Sequence, residues 1–351
     1  MKISKVIQVL IIALLSVPAF AYTQWSKSGG GLWTYRKAIS VINTSASVVN
    51  DFQVSVSTTQ ASLASLISAG KLQANYNDVR FGDINNKELP YWIDLYSSSS
   101  SAVFWVRVAT INASVTPTTI YLYYGNPYAT QASSGNLTFL LFDDFNGASI
   151  DTAKWTIESG TWSLDTGSLF MEGGGSNIYS NVISNDTFAG NFILHGRSKI
   201  YTDDTGRKYP LFTWGWQNDS NNYFCYSGRM TTTYVMRLIR RESAVEYTAA
   251  ASNTATYVIP GVFQDTKVEV VGSTHAYTFA YVVRGTTGTW TTFPSGKVGV
   301  RCNHENDNWY DNIFVRKYAS PEPVADGLGA EQSTRRWIGA GTSKDHTAKD
   351  Y

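Results

Sequence analysis

The sequence is poor in cysteine, in charge and in long apolar runs. Of 351 residues only 2 are Cys, and Asp, Glu, Lys and Arg together make up 16 %. Two thiols cannot build the disulfide framework of a small secreted module or the four-thiolate cage of a structural zinc site. The histidines His195, His275, His304 and His346 are scattered without zinc-ligand spacing. The net charge is +1 and no block of Lys or Arg occurs. That argues against nucleic acid as the main partner, because holding a phosphate backbone needs clustered cations. Past Ala21 no segment approaches the about 20 consecutive apolar residues of a membrane helix, so no transmembrane helix is expected in the mature chain.

What is present is aromatic and β-forming. Aromatic residues reach 14 %, with 11 Trp and 22 Tyr, enough apolar area to offset the entropy of ordering the chain. The length suggests about two domains. Residues 1–21 read as a signal peptide: Lys2 and Lys5 in a basic start, an apolar core over Val6–Val17, and Ala19-Phe20-Ala21 as a small-x-small cleavage site near Ala21. The alternative is an uncleaved membrane anchor. Cleavage places the mature protein outside the cytoplasm, secreted or at the cell surface.

The first domain is expected over residues 22–130. Ile39 and Val41, Phe52, Val54 and Val56, Phe104, Val106 and Val108, and Ile120, Leu122 and Tyr124 alternate with polar neighbours, the pattern of half-buried strands. Leu63, Leu66 and Ile67 break that pattern with helical spacing, and Gly70 supplies a stop, so one short helix is expected. The result is an antiparallel β-sandwich with a helix on its flank. Its motifs Trp33-Thr34-Tyr35-Arg36-Lys37, Asp78-Val79-Arg80-Phe81, Leu89-Pro90-Tyr91-Trp92-Ile93, Phe104–Val108 and Ile120–Asn126 resemble, in order and spacing, the DUF2341 domain family. That resemblance implies an exported bacterial or archaeal protein and often a following lectin-like sandwich. It brings no catalytic residue with it. Trp92, Trp105 and Tyr121–Tyr124 read as core and rim aromatics rather than a ligand ladder.

The second domain is expected over residues 137–329, opening at LLFDDFNGASIDTAKW, which starts at Leu140. Strands are expected over Phe192–Lys199, Tyr209–Gln217, Asn222–Ser227, Tyr234–Arg241, Lys267–Val271, Tyr277–Val283, Lys297–Cys302 and Trp309–Tyr318. Asn218-Asp219-Ser220-Asn221 closes one hairpin and Gly285–Gly288 another. So many antiparallel strands fit a jelly-roll sandwich. The opening segment, Ser220–Phe224 and the closing Trp309–Tyr318 are similar to concanavalin A-like lectin/glucanase sandwiches. The resemblance implies two stacked sheets, one concave, with ligands on the concave side or the loop rim. The fold class is therefore all-β, two sandwiches, the second a concanavalin A-like jelly roll. The linker, Tyr128–Asn136, is short and favours docked domains. Residues 330–351 read as a loosely ordered tail.

Function is less determined than fold, because sandwiches of this type host lectins, glycosidases and spacers alike. A retaining glycosidase needs two carboxylates about 5–5.5 Å apart. The E-x-D-x-x-E pattern that would supply them on one strand face is absent, and Glu246 and Glu269 are isolated. Two Asp-Thr-Gly triplets, at Asp165 and Asp204, read as hairpin turns rather than protease carboxylates. Phe212, Trp214 and Trp216 share one face of their strand if alternation is regular. Exposed, these Trp residues form a sugar platform; buried, they are core. Asn308, Trp309 and Tyr310 stand at a loop rim as further candidate ligand contacts. Asp144, Asn146 and Asp311 are candidate oxygen ligands for Ca²⁺, on the premise that the first and last strands are neighbours; the alternative is loop capping. Cys225 and Cys302 either form one disulfide or pack as buried thiols.

These readings point to an exported, non-catalytic protein that binds glycan or another surface polymer. Two others remain: a structural module that associates with itself or with another envelope or adhesion protein, and a divergent polysaccharide-active glycosidase.

Overall fold

The computed structural model describes residue 25 and residues 27–58, 60–97, 101–114, 116–172, 179–202, 209–230, 233–252, 258–303 and 307–333. The signal-peptide segment, His304, His346, the second Asp-Thr-Gly triplet and residues 334–351 lie outside them.

The first sandwich uses β1 (Tyr35–Ile42), β2 (Val49–Thr58), β3 (Arg80–Asp83), β4 (Glu88–Leu89), β5 (Tyr91–Ser97), β6 (Ser101–Ile111) and β7 (Thr118–Tyr124). The order β1-β7-β3-β4 forms one sheet and β2-β6-β5 the other, all antiparallel. The alternating residues do what their spacing predicts. Ile39, Val41, Phe52, Val54, Val56, Phe104, Val106, Val108, Ile120 and Leu122 all enter one buried core. Helix α1 (Gln60–Ser68) drops Leu63 and Leu66 into that core. It ends where Gly70 takes φ +65° and the Lys71 N–H returns to the Leu66 carbonyl at 2.9 Å, the left-handed stop that glycine permits.

After the one-turn helix α2 (Gly135–Thr138), the second sandwich runs from β8 (Leu141–Asp143), β9 (Trp155–Ser159), β10 (Trp162–Leu164), β11 (Leu169–Met171) and β12 (Tyr179–Ala189) to β13 (Phe192–Ile200), β14 (Tyr209–Asn218) and β15 (Asn221–Met230). It continues with β16 (Thr233–Glu242), β17 (Val245–Ser252), β18 (Gln264–Val271), β19 (Thr274–Phe279), β20 (Val282–Thr286), β21 (Ser295–Asn303) and β22 (Asn308–Lys317). One sheet has the order β10-β11-β22-β13-β18-β19-β20, with β8 on β22; the other is β17-β16-β15-β14-β21-β12-β9. Between them lies the larger core, including Trp155, Leu194, Phe212, Trp214, Tyr223, Val300 and Tyr310. The opening and closing segments are neighbours as expected, Phe142 opposite Phe314 and Asp143 opposite Ile313.

Three sequence expectations need correction. First, Glu331–Ser333, expected in a loose tail, form a strand. Strands β23 (Val324–Asp326) and β24 (Glu331–Ser333) return to the first sandwich and pair with β1, Val324 opposite Ile42 and Glu331 opposite Lys37. The second sandwich therefore closes at β22, and the first is completed by residues that the sequence placed beyond it. Second, Tyr277–Val283 is two strands. Ala280 and Tyr281 take φ +48° and +65° and form the turn, so Gly285 lies within a strand rather than in the loop. Neither residue carries the glycine or asparagine signal of such turns. Third, Cys225 and Cys302 are buried free thiols. Strand β14 lies between their strands, and two strand spacings come to about 9.5 Å, beyond the reach of a disulfide.

The two sandwiches are docked. Trp92 from β5 meets Phe142 at 4.9 Å and Phe314 at 5.6 Å between ring centres, and Phe139 stacks on Phe314 at 4.2 Å. Gln53 donates to the Thr138 carbonyl at 3.1 Å and accepts from the Lys317 N–H at 3.0 Å. With two covalent crossings and a shared aromatic cluster, the domains form one unit.

Candidate functional site

The most developed polar constellation lies on the outer face of the seven-stranded sheet. It is organised by Arg301 in the middle of β21, whose side chain is fully buried. Its neighbours across the ladders are Asn181 of β12 and Leu211 of β14. Nε donates to Asn181 Oδ1 at 2.7 Å, Nη1 to Asn222 Oδ1 at 2.6 Å and Nη2 to Asp219 Oδ1 at 2.6 Å. Rings of Tyr179, Trp216 and Phe224 surround the guanidinium at 4.1, 5.0 and 5.2 Å. A buried charge is tolerated only when paired and hydrogen-bonded, and this one is both. Burial draws its pKa down to about 10, with Asp219 opposing, so it stays cationic at neutral pH.

The partners are themselves held. Asn181 Nδ2 donates to Ser159 Oγ at 2.9 Å, and Asn222 Nδ2 donates to the Asn218 and Asp219 carbonyls at 2.9 and 3.1 Å. The Tyr179 hydroxyl donates to Glu246 Oε1 at 2.7 Å, and Arg241 Nη1 donates to the same oxygen at 2.9 Å. Burial, then Glu246, push the Tyr179 phenol far up. Tyr179, Asn181, Trp216, Asp219, Arg241 and Glu246, with Glu158 and Ser159, line an open groove of about 710 Å³. The buried floor grades into a wet rim, where the side chains of Asp219 and Glu246 are 49 % and 37 % exposed.

Trp216 reaches this groove through a break in alternation. At Trp214 the β14–β15 register is regular, and it shifts before Asn218; toward β21 it shifts between Thr213 and Trp216. Gly215 in between takes φ +58°. A glycine at positive φ is the signature of a bulge that inserts one extra residue and re-aims the next side chain. A Cβ on Gly215 would stand 2.8 Å from the Tyr223 ring, and one on Gly296 would stand 2.3 Å from the Gly215 backbone, so both strands need glycine here.

The residues singled out from sequence are therefore split. Trp214 belongs to the core, where its indole N–H donates to His275 Nδ1 at 3.1 Å; the shared face expected for Trp214 and Trp216 does not exist. Asn308 and Tyr310 are fully buried, Asn308 donating to Cys302 Sγ at 2.7 Å and Tyr310 through its hydroxyl to the Arg301 carbonyl. These three are not surface contacts, because their side chains fill the space between the sheets. Trp309 is on the outside of the other sheet, packed on Phe170 and Tyr201 and bonded to Asp165 Oδ2 at 2.6 Å. Asp165 is a turn residue as expected: its N–H and carbonyl pair with Ser168, and Thr166 and Gly167 hold positive φ between them. Only Trp216 of the five candidate contacts lines the groove. Arg301, Tyr179, Asn181 and Asn222 escaped notice, although an arginine alternating with Val298, Val300 and Cys302 in one strand was a usable signal.

The two strand carboxylates singled out from sequence stand apart, whereas Glu158, Asp219 and Glu246 share the groove. Glu246 is in the seven-stranded sheet and Glu269 in the other, bonded to Lys267 at 3.1 Å. Burial raises Asp311 to about 6, with the Asn312 N–H and Arg197 opposing and Asp144 and Asp94 adding. Arg197 already faces Asp311 across the ladder, and Asn146 Oδ1 lies against Gly167 instead. Among the described residues no group of three or more His, Cys, Asp or Glu is placed to hold a metal ion.

Comparison with known proteins gives one family match: Domain of unknown function (DUF2341), over residues 75–158. The match begins after the Trp33–Lys37 motif and runs past the linker to β9. It thus takes in Trp92, Trp105, Phe139 and Phe142 of the docking cluster. No curated protein matches the chain. Among solved structures, the chain is similar to the carbohydrate binding module CBM66 from Bacillus subtilis at 14 % identity and TM-score 0.40, covering 48 % of this chain and 98 % of that one. It is similar to a protein of unknown function with galectin-like fold from Bacillus subtilis at 11 % and 0.42, with 51 % and 96 % covered. A third is an endo-beta-1,3-glucanase from Pyrococcus furiosus at 10 % and 0.42, with 52 % and 95 % covered.

Proposed function

We propose that this protein is an exported, non-catalytic carbohydrate-binding protein that holds a neutral glycan along the outer face of the seven-stranded sheet. The observation that carries the reading is the Arg301 constellation. One buried guanidinium locks two amides and a carboxylate in place beside Tyr179 and Trp216. Arg301, Asn181 and Asn222 are buried and Trp216 is only 5 % exposed, so they fix the groove floor, while Gln217, Asp219, Arg241 and Glu246 are open to a sugar's hydroxyls and Tyr179 to its ring face. Groups already fixed by their own hydrogen bonds lose little further entropy on binding.

The charges select against acidic chains. Arg301 pairs with Asp219 and Arg241 with Glu246, and Glu158 adds a carboxylate to the wall. An anionic polymer would meet uncompensated negative charge there. Export rests on the basic and apolar start with Ala19-Phe20-Ala21. The non-catalytic reading rests on the missing E-x-D-x-x-E pattern, although Glu158, Asp219 and Glu246 share the groove. A panel of neutral and acidic polysaccharides in affinity electrophoresis tests it. Retardation by neutral polymers is expected; retardation by none, or by acidic ones alone, overturns the reading.

A second reading, self-association through a sheet edge, is favoured by the side where β17 and β20 meet. Val245, Val282 and Val283 are 52 %, 45 % and 60 % exposed there, and both strands are edges. Sedimentation that stays monomeric at high concentration removes it.

A further inference from the structure

A second cavity, of about 290 Å³, opens where the two sandwiches meet. Asp94 and Trp105 of the first sandwich form one wall, and Arg197, Asp265, Thr278 and Tyr281 of the second form the other. It lies against the eight-stranded sheet, so it is separate from the groove on the opposite sheet.

Three features distinguish it from a packing defect. Thr278 is only 9 % exposed, and its hydroxyl has no hydrogen-bond partner. An unpaired buried hydroxyl is destabilising, and a ligand hydroxyl in the cavity removes that penalty. Tyr281 at the mouth belongs to the Ala280–Tyr281 turn, where both residues hold positive φ. Non-glycine residues adopt that conformation at a cost, and such strain gathers at ligand sites. The same Tyr281 is 79 % exposed yet donates through its hydroxyl to Asp265 Oδ2 at 2.5 Å, which holds its ring over the opening. Finally, the charges on the walls are matched. Asp94 and Asp265 are balanced by Arg197 and Lys267 in the lining, and Arg197 donates to Asp265 at 3.0 Å and to Asp94 at 3.5 Å.

We propose that this interdomain cavity binds one neutral sugar residue. Matched wall charges offer a charged ligand as much repulsion as attraction, whereas sugar hydroxyls donate to the free lone pairs of Asp94 and Asp265. Thr278 both donates to and accepts from a neighbouring hydroxyl. Trp105 and Phe314 supply the apolar surface for the ring. The volume stands at the lower end of ligand pockets, which begin at about 300 Å³, so it suits one residue and not a chain. Because both domains contribute, an occupied cavity also strengthens their docking.

The test is a titration of the full chain followed by the indole N–H resonances. Trp105 Nε1 donates to Asp94 Oδ2 at 3.3 Å and reports the cavity; Trp216 reports the groove. The probes are methyl β-D-glucopyranoside, methyl β-D-galactopyranoside, methyl α-D-mannopyranoside and, as a charged comparison, glucuronic acid. At least one neutral glycoside is expected to shift Trp105 saturably. Thr278→Val, a replacement of the same shape, weakens that binding about fivefold, the worth of one hydrogen bond. The proposal is overturned if no neutral glycoside moves Trp105, if only Trp216 moves, if glucuronic acid binds more tightly, or if Thr278→Val binds as the parent does.

Discussion

Trp214 and Trp216 are next-but-one neighbours in β14 and face opposite sides of it. The indole of Trp214 points into the core and bonds His275, while that of Trp216 lies 5.0 Å from the Arg301 guanidinium in the groove. Regular alternation would put both on one side. The extra residue at Gly215 separates them, and it gives the outer face its aromatic wall.

Substituting Gly215 therefore acts on stability and binding together. Gly215→Ala places a Cβ at φ +58° and 2.8 Å from the Tyr223 ring. A loss of about 1–3 kcal/mol is expected from the backbone conformation alone. Trp216 shifts with it, so glycan retardation falls too. Urea unfolding followed by affinity electrophoresis at a denaturant-free, fully folded temperature separates the two effects.

Arg301→Lys tests whether the groove needs the planar fork. A lysine ammonium cannot satisfy Asn181, Asn222 and Asp219 from the same position. Stability is expected to drop by about 2–4 kcal/mol, since each lost partner was a charge-assisted bond. An unchanged melting curve would mean that the network contributes nothing.

Asp311 yields a pH-dependent prediction. Its folded pKa is raised to about 6, above the usual carboxylate value near 3.8. The protonated acid is the form that the fold prefers, so its contribution is favourable below about pH 4 and is lost as pH rises through about 6. Asp311→Asn is expected to add about 1–2 kcal/mol at pH 7, allowing for partial exposure, and nothing at pH 4. Calcium titrated into chelator-treated protein should give no heat and no rise in melting temperature. Heat that vanishes in Asp311→Asn would restore the calcium site at Asp144 and Asp311.

Docking is tested at Trp92, which touches Phe139, Phe142 and Phe314 across the domain boundary. The parent should unfold in one calorimetric transition. Trp92→Ala costs about 3–5 kcal/mol and should split it in two as the sandwiches uncouple.

The strands were legible where one face is buried and the other wet, as in Phe52, Val54 and Val56 or Phe104, Val106 and Val108. Alternation carries no information about a bulge, so Gly215 hid the position of Trp216. The Ala280–Tyr281 turn hid behind residues that do not normally make such turns. Cys225 and Cys302 looked pairable in a list of two, but the intervening strand is a fact of topology. The return of Val324–Asp326 and Glu331–Ser333 to β1 lies at a sequence distance that no local pattern spans. Arg301 was overlooked because its partners Asn181, Asp219 and Asn222 come from a strand and a hairpin far from it in the chain.

The claim that the groove is the glycan site is tested most directly by two variants on opposite outer faces, Trp216→Ala and Trp309→Ala, run side by side in affinity electrophoresis with the neutral polymer that retards the parent. Loss of retardation in Trp216→Ala, with retardation kept in Trp309→Ala, is the predicted result. Retardation that survives Trp216→Ala and is lost in Trp309→Ala would contradict the account and move the site to the other sheet.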